Sequence, residues 1–549
     1  MKKLGFSDYI LLLSLILIGG FHEYISCALA VAMSIYLLLR CIKGKKTRIR
    51  KDFITSAAVA LVAGYGLTCF WAVDSGMALI GFLKYLPLLL YVVCLQQEEK
   101  QTKIPELLPW LGAAMTVISA FGMQFPSLRV WFSASERLAG FFQYPNTFAL
   151  FLLICELLLL EKRGKKLLDY ILLAIVLIGF LYTGSRTAFV VAALANGAML
   201  IVLSKNKLRT LLVLGAAAAG IAVFLLVLGP ALGLERYLTI SLTQSTFVGR
   251  LLYWVDALPL LLKHPMGMGH MGYFFTQQSV QTGVYSVTYV HNDFLQLFLD
   301  VGFVPAGLFI AMLVAWFLRK GSVTNKIIVG TVCLHSLFEF HFQFIGIFML
   351  LFMLLSREDC DKVLVKKPGV LPKIVLPVVV LAGMYLGVAL VFAHFGLRAQ
   401  SDAMYPYNTQ NKLMMLSQTA ELEQANHLAD QILEQNTDYY APYSTKAKYS
   451  YSQGKFTSLI RYKKEVFKRN PFEQSEYEEY CQMLINGINL YREVGDTQSV
   501  AICQSELIAT QKLLKENKQR LSWLGARIVD QPVTELSEQV QQYIAQIGE

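Results

Sequence analysis

The sequence predicts an all-α fold, in which a polytopic helical membrane domain is followed by a soluble helical tail. Apolar residues make up 55% of the 549-residue chain and charged residues only 16%, whereas soluble domains carry about 25% charged residues. The apolar residues lie in runs of about 16–22, each long enough to cross a hydrocarbon core of about 30 Å. From about Arg398 onward the composition becomes polar, as expected for a domain in water.

The apolar runs predict about thirteen membrane spans, with boundaries good to a few residues. The first run follows Met1-Lys2-Lys3 and is interpreted as a retained helix, because no small-residue cleavage site follows it. The predicted spans lie near 7–20, 25–42, 53–72, 77–95, 106–124, 146–160, 167–183, 187–203, 210–228, 301–318, 326–338, 342–356 and 374–394.

The positions of Lys and Arg predict a cytoplasmic N-terminus. These residues gather in the short loops between alternate spans, such as 43–51, 162–166 and 366–367, which is the bias expected of cytoplasmic loops. An odd number of spans then places the C-terminal tail outside the cytoplasm. The net charge of +11 is thereby explained by membrane topology, and we predict no nucleic-acid partner.

This topology divides the chain into two predicted domains. Residues 1–397 form the membrane domain, which has a large outer loop at 229–300 and a second outer segment near 126–145. Residues 398–549 form an extracytoplasmic helical domain.

The tail contains a repeat. Gln435-Asn436-Thr437 with Tyr443 matches Arg469-Asn470-Pro471 with Tyr477 at the spacing of tetratricopeptide helix pairs, about 34 residues. A plain bundle of helical hairpins is the alternative. Either fold favours binding or positioning over chemistry.

Cations on the outer face are informative because they oppose the positive-inside bias. Arg186, in Thr183-Gly-Ser-Arg-Thr187, offers a planar fork of donors that suits phosphate; an anchor at lipid headgroups is the alternative. Arg250 begins an amphipathic stretch of the large loop, which leads to His264 and a Gly-rich turn at 265–272.

Polar residues at the ends of predicted spans complete the set of candidates. His291, followed by Asn292 and Asp293, is placed to act as general base on a sugar hydroxyl, or else it is a structural residue beside a helix cap formed by Asn292 or Asp293. Arg137 and Asn146 bracket the other outer segment, where a re-entrant loop held by one cation is the alternative.

Four further polar residues allow two interpretations. Lys84 lies inside a span, and His335, Glu339 and His341 crowd one outer helix end; they form either a pathway or a satisfied internal network. The two histidines and the glutamate are too sparse to predict a metal site, and no nucleotide-phosphate motif is present. We therefore predict no metal and no cofactor. Arginines would neutralise a pyrophosphate leaving group while one base deprotonates an acceptor hydroxyl.

Three motifs, in this order, resemble the O-antigen ligase and O-antigen polymerase superfamily. They are Gly184-Ser-Arg-Thr187, Gly249-Arg…Trp254…His264-Pro-Met-Gly-Met-Gly269 and His291-Asn-Asp-Phe-Leu-Gln-Leu…Gly302. Arg137…Gly140…Pro145-Asn146 is similar to an earlier motif of that family. The resemblance covers about residues 1–395. It implies a glycosyltransferase-C-like fold in the bacterial cytoplasmic membrane and a donor glycan linked to undecaprenyl pyrophosphate.

Carried over by motif, the family's site residues imply roles for this chain. Arg186 and Arg250 would hold the donor pyrophosphate, and His291 would be the catalytic base. Arg137, Asn146, His264 and Asn292 would complete the substrate-binding set.

The resemblance implies a metal-independent glycosyltransferase in cell-surface polysaccharide assembly. The acceptor remains open between a glycan, a lipid, the cell wall and a protein, so ligase, polymerase and protein-glycosylating enzyme are not separated. A transporter or flippase of lipid-linked glycans is the alternative. It would show internal hydropathy repeats and charges near mid-membrane, where only Lys84 is found. A membrane scaffold would leave the outer arginines and His291 unexplained.

Overall fold

The computed structural model describes residues 4–98, 103–162, 164–357, 363–367 and 369–548. Within these ranges the structure is almost wholly helical, and its four short strands form only two antiparallel pairs. The predicted all-α class is therefore confirmed. The predicted inner-loop residues Lys2, Lys3 and Arg163 lie outside the described residues.

Ten helices precede the large outer loop. They are α1 (Phe6–Ile16), α2 (Glu23–Ile42), α3 (Phe53–Thr68), α4 (Ser75–Gln96), α5 (Ile104–Gly122), α6 (Pro126–Phe132), α7 (Pro145–Glu161), α8 (Leu167–Tyr182), α9 (Arg186–Leu203) and α10 (Lys207–Val227). Seven follow before the tail: α11 (Ser245–Lys263), α12 (Gly272–Val280), α13 (Asp293–Val301), α14 (Phe303–Leu318), α15 (Val323–Ser336), α16 (Ile345–Leu355) and α17 (Val370–His394).

Short elements connect these helices. Strands β1 (Thr47–Arg50) and β4 (Val363–Lys366) pair with each other, as do β2 (Ser133–Ala134) and β3 (Arg137–Leu138). Single 3-10 turns lie at Ile18–Gly20, Gly140–Phe142, Pro230–Leu232, Glu235–Tyr237, His341–Gln343, Asn517–Arg520 and Gly525–Arg527.

A helix lies at every predicted span. By length and composition, seven described helices suit a membrane crossing: Glu23–Ile42, Ser75–Gln96, Ile104–Gly122, Arg186–Leu203, Lys207–Val227, Ser245–Lys263 and Val370–His394. All of them coincide with predicted spans except Ser245–Lys263, which lies in the predicted outer loop. Several other predicted spans coincide with shorter apolar helices, such as Phe53–Thr68 and Phe303–Leu318. The total of about thirteen spans remains a prediction.

Contacts divide the chain into two compact units. The first unit comprises Met1–Gly66, Ile80–Ser241 and His291–Leu390. The second unit comprises Leu67–Leu79, Leu242–Val290 and Val391–Glu549. The sequence-based boundary after residue 397 remains a prediction.

Helices α7 and α16 form the core of the first unit. All residues of α16 are buried, as are all residues of α7 from Pro145 to Leu159. By contrast, α10 buries only Leu225, so its apolar surface suits contact with lipid. Lys84 is 1% exposed and forms an ion pair with Glu23 at 2.9 Å. The partner compensates for burial of the charge, which favours the internal-network interpretation of Lys84.

The tail of the second unit is a row of helices. They are α18 (Arg398–Met404), α19 (Thr409–Gln418), α20 (Leu422–Gln435), α21 (Ala441–Ser452), α22 (Phe456–Arg469), α23 (Gln474–Glu493), α24 (Thr497–Glu516) and α25 (Glu538–Gly548). From α18 to α24, each helix packs against the next.

The repeat in the sequence has a structural counterpart. Helices α20 and α22 have equal length, 14 residues. Asn436 and Asn470 are their C-caps and donate their N–H groups to Ile432 and Val466, each at 2.8 Å. The two copies thus end their helices in the same way. The tetratricopeptide assignment remains a prediction.

Candidate functional site

Arg137 and Asn146 meet in the first unit. The β2–β3 hairpin turns through Ser135 and Glu136, both with positive φ, and places Arg137 beside the start of α7. The Arg137 guanidinium donates from Nε to the Thr183 carbonyl and from Nη2 to Asn146 Oδ1, both at 2.6 Å. Two rigid partners therefore hold the planar side chain in one orientation.

A buried carboxylate continues this network. Glu339 is fully buried and accepts hydrogen bonds from Asn146 Nδ2 at 2.6 Å and from the Tyr144 hydroxyl at 2.7 Å. His291 Nδ1 lies 3.5 Å from Glu339 Oε2. These polar neighbours offset the cost of burying the carboxylate. Asn146 and Glu339 thus connect Arg137 to His291.

His291 is held at the start of α13 in an unusual conformation. Its φ is +52°, in the left-handed region. The centroids of its ring and of the Phe340 ring lie 4.9 Å apart, in an edge-on arrangement. The side chain is 21% exposed, so it faces both Glu339 and solvent. Part of the imidazole is therefore accessible from outside the protein.

The two residues after His291 fix the helix start. Asn292, not Asp293, is the N-cap: Asn292 Oδ1 accepts the Leu295 N–H at 3.0 Å. Asp293 is 1% exposed and accepts the Phe342 N–H at 2.9 Å. Burial raises its pKa well above the usual carboxyl value. Both side chains therefore anchor the backbone that presents His291.

His335 and His341 belong to a buried polar network inside the first unit. His341 contacts the Thr147 hydroxyl through Nδ1 at 2.9 Å and His335 through Nε2 at 2.8 Å. Both rings are fully buried. Within the described ranges, no three His, Cys, Asp or Glu side chains are grouped to hold a metal ion. Metal-independent chemistry remains a prediction.

Arginine side chains also surround the turn at Gly184. A methyl group added to Gly184, whose φ is +58°, would lie 3.3 Å from Arg236 Cδ and 3.4 Å from Arg137 Nε. Arg186 begins α9, and its Nη1 donates to the Thr239 hydroxyl at 3.3 Å. That hydroxyl in turn donates to the Arg236 carbonyl at 2.9 Å. We call Arg137, Arg186 and Arg236 the arginine cluster.

The electrostatics of the arginine cluster favour an anion. Burial, together with the nearby charge of Arg236, lowers the pKa of Arg137 to about 10. Arg186 places a cation at a helix N-terminus, where the helix dipole makes it unfavourable by about 0.3–1 kcal/mol. Both costs fall when an anion binds. Several guanidinium donors match the oxygens of a diphosphate.

Sequence reasoning missed Arg236. It lies in Glu235-Arg236-Tyr237, which belongs to none of the motifs. The available signal was that it is one more cation on the predicted outer face. Glu339 was considered from the sequence, but no role in the site followed, because its contact with Asn146 joins residues 193 positions apart.

Arg250 and His264 lie in the second unit, on and just after α11. Arg250 is half-buried. Its neighbours Val248 and Leu252 belong to an apolar cluster with Tyr285, Leu524 and Ile528. His264 is the C-cap of α11, and burial together with Lys263 lowers the pKa of its imidazole.

Chain packing accounts for glycine in the turn after His264. Gly267 and Gly269 have φ of +92° and +76°, which favour glycine. A methyl group at Gly269 would lie 2.6 Å from Ala72 Cβ, and the Met268 carbonyl accepts the Val73 N–H at 3.0 Å. Ligand contact at this turn remains a prediction.

Comparison with known proteins bears on this site directly. Residues 171–310 match a family described as O-antigen ligase; this range includes Arg186, Arg236, Arg250, His264, His291 and Asn292, but not Arg137, Asn146 or Glu339. No curated protein and no solved structure matches the chain. The family and the apolar helices indicate a membrane enzyme of the glycosyltransferase type that acts on lipid-linked glycans. This match over residues 171–310 supports the resemblance of the chain to the O-antigen ligase and O-antigen polymerase superfamily.

Proposed function

We propose that this protein transfers an oligo- or polysaccharide from undecaprenyl pyrophosphate to an acceptor hydroxyl, without a metal, at the outer face of a bacterial cytoplasmic membrane. The observation that carries this proposal is the path from Arg137 to His291: hydrogen bonds join Arg137 to Asn146 and Asn146 to Glu339, and His291 Nδ1 lies 3.5 Å from the Glu339 carboxylate. One end of the path carries cations for a leaving group. The other end carries a base for an attacking hydroxyl.

The arginine cluster stabilises the leaving group. As the bond between the sugar anomeric carbon and the phosphate oxygen breaks, that oxygen gains negative charge. Guanidinium donors that are already oriented bind this charge more strongly than they bind the ground state, which lowers the barrier. Arg250 and His264 are assigned to donor binding from their sequence motif alone.

His291 takes the acceptor proton as the new glycosidic bond forms. Its Nδ1 faces the Glu339 carboxylate, so Nε2 is the nitrogen that accepts the proton. Glu339 then stabilises the imidazolium, as the carboxylate does in a catalytic triad. The energy comes from the donor's own pyrophosphate linkage, and the products are the transferred glycan and free lipid pyrophosphate.

The predicted topology supplies the setting for this reaction. The N-terminus is cytoplasmic and the tail extracytoplasmic, where the helices from α18 to α25 bind or position a glycan, lipid, cell-wall or protein acceptor. Membrane lipids surround the apolar helices such as α10, which buries only Leu225.

The test is a transfer assay with purified protein in nanodiscs, a lipid-pyrophosphate-linked oligosaccharide and candidate acceptors. We expect acceptor-dependent release of lipid pyrophosphate, which His291→Ala lowers by about 10²- to 10⁴-fold because the general base is lost. His394→Ala, at an exposed histidine at the end of α17, is the matched control and should transfer normally.

Two outcomes would contradict the proposal. If the donor stayed intact while the lipid-linked glycan crossed the bilayer of a proteoliposome, the protein would be a transporter. If His291→Ala released lipid pyrophosphate as fast as the parent protein, the base would lie elsewhere.

A further inference from the structure

A segment between α24 and α25 of the tail packs onto the helix that carries Arg250. We call residues 521–531 the strap. Within the second unit, the Ser522 N–H donates to the Thr282 carbonyl at 3.0 Å, and the hydroxyls of these two residues lie 2.9 Å apart. Further along, the Val529 N–H donates to the Ser245 hydroxyl, at the first residue of α11, at 3.0 Å. The strap is therefore hydrogen-bonded to both the start of α11 and the loop after α12.

Apolar contacts lie between these hydrogen bonds. Leu524 and Ile528 of the strap are 4% and 9% exposed. They form one cluster with Val248 and Leu252 of α11 and with Tyr285. Val248 and Leu252 lie two residues before and two residues after Arg250. Residues two positions apart on a helix do not share a face, so the strap covers the face of α11 that is turned away from Arg250. Removal of the strap would expose this apolar face to water and loosen the helix that carries Arg250.

Gly525 allows the closest approach between strap and loop. A methyl group at this position would lie 2.1 Å from the Thr282 carbonyl oxygen and 3.0 Å from Gly283 Cα. Both neighbouring atoms belong to the backbone, so no side-chain rotation relieves the overlap. The strap therefore keeps this place only with glycine at 525.

A buried carboxylate ties the same loop to α11 from its other side. Asp256, on α11 and 2% exposed, accepts hydrogen bonds from the Thr282 N–H at 2.9 Å and from the Thr282 hydroxyl at 2.7 Å. The Tyr285 hydroxyl donates to it at 3.1 Å. Thr282 thus joins α11 and the strap, and displacement of the strap also disturbs the partners of a buried charge.

We propose that the strap is a positioning element for Arg250, so that the tail sets the affinity of the enzyme for the donor pyrophosphate. This inference rests on the proposed role of Arg250 in donor binding. The tail would then influence binding of the donor, in addition to its expected role in binding the acceptor. A guanidinium binds a phosphate bidentately only in one orientation, and the strap fixes the helix that sets this orientation.

The test is Gly525→Ala in the full-length protein in nanodiscs. We expect the apparent KM for the lipid-linked donor to rise by about tenfold, as expected for one weakened charge-assisted hydrogen bond. The acceptor KM and the kcat at saturating donor should stay within about twofold. Gly307→Ala is the matched control, because its added methyl group meets no atom within 4 Å.

Two further readouts separate positioning from general instability. Amide hydrogen exchange should accelerate in α11 and not in α7. In an Arg250→Ala background, Gly525→Ala should produce no further loss of donor affinity, as measured by binding of undecaprenyl pyrophosphate.

Each result decides between the alternatives. Unchanged exchange in α11, or a lower kcat with unchanged donor KM, would overturn the positioning role, and so would an additive loss of affinity in the double variant. If the parent protein released no lipid pyrophosphate from any donor, the proposed function would be wrong. Hydrogen exchange in α11 and the measured affinities for lipid pyrophosphate would still show whether the strap positions Arg250.

Discussion

Transfer by an Arg186→Ala variant is expected to fall by about 10²- to 10³-fold, while the protein still inserts and folds. Arg186 begins α9 and lies in the arginine cluster, so alanine removes a fixed charge from the place where the leaving group becomes more negative. Arg186→Lys should recover little of the loss, because a single ammonium group does not replace the planar fork. The measurement is release of lipid pyrophosphate at saturating acceptor.

The matched control for Arg186 is Arg129→Ala. Arg129 is an exposed arginine of α6, in another segment of the predicted outer face, and its loss should leave transfer within about twofold. Normal turnover by Arg186→Ala would remove this residue from the site. Equal losses in both variants would point instead to a general effect of positive charge at the membrane surface.

Glu339→Gln is expected to lower kcat by about 10²- to 10⁴-fold and to change the donor KM little. The amide has the shape of the carboxylate, but it carries no charge to stabilise an imidazolium at His291. Its nitrogen would also face a donor, either Asn146 Nδ2 or the Tyr144 hydroxyl, in place of an oxygen. Single-turnover kinetics with bound donor would measure the loss at the chemical step.

A second buried carboxylate provides the control for Glu339. Glu156, also on the core of the first unit, is 5% exposed and accepts a hydrogen bond from Asn196 at 2.8 Å. Glu156→Gln should keep its activity per folded molecule. If Glu339→Gln lost folded protein in proportion to its activity, as seen in thermal unfolding, Glu339 would be structural and not part of the reaction.

The sequence predicted the helices well because of the membrane itself. An apolar run in a bilayer must satisfy its backbone hydrogen bonds internally, which leaves the helix as the form of a single span. The boundaries were less certain for local reasons. The predicted span reaches residue 20, but helix α1 ends at Ile16. Gly19 and Gly20 adopt positive φ and belong to a 3-10 turn instead.

The candidate site was predictable where its residues are close in the chain or oppose the charge bias. Arg137 and Asn146 are nine positions apart, and Arg186 is a cation on the predicted outer side, where the positive-inside rule disfavours it. Glu339 carries neither signal, and Arg236 carries only that of one more cation on the predicted outer face. Their places in the site depend on long-range packing against Asn146 and Gly184. A single sequence contains no local pattern for contacts of this kind.

The position of the strap, like the positions of Glu339 and Arg236, could not be predicted from the sequence. Composition and the repeat predicted a helical tail, and the helices from α18 to α25 agree. The close approach of Gly525 to the Thr282 carbonyl could not be predicted from sequence periodicity, because it depends on the absence of one side chain at one irregular position.

The left-handed backbone at His291 means that stability and the proposed activity favour different residues at this position. A non-glycine residue with φ near +52° costs about 1 kcal/mol relative to an ordinary conformation, and a glycine would adopt the same φ without that cost. A programme of thermal stabilisation guided only by the free energy of unfolding would therefore favour glycine at 291. It would yield a sturdier membrane protein from which the proposed catalytic imidazole had been removed.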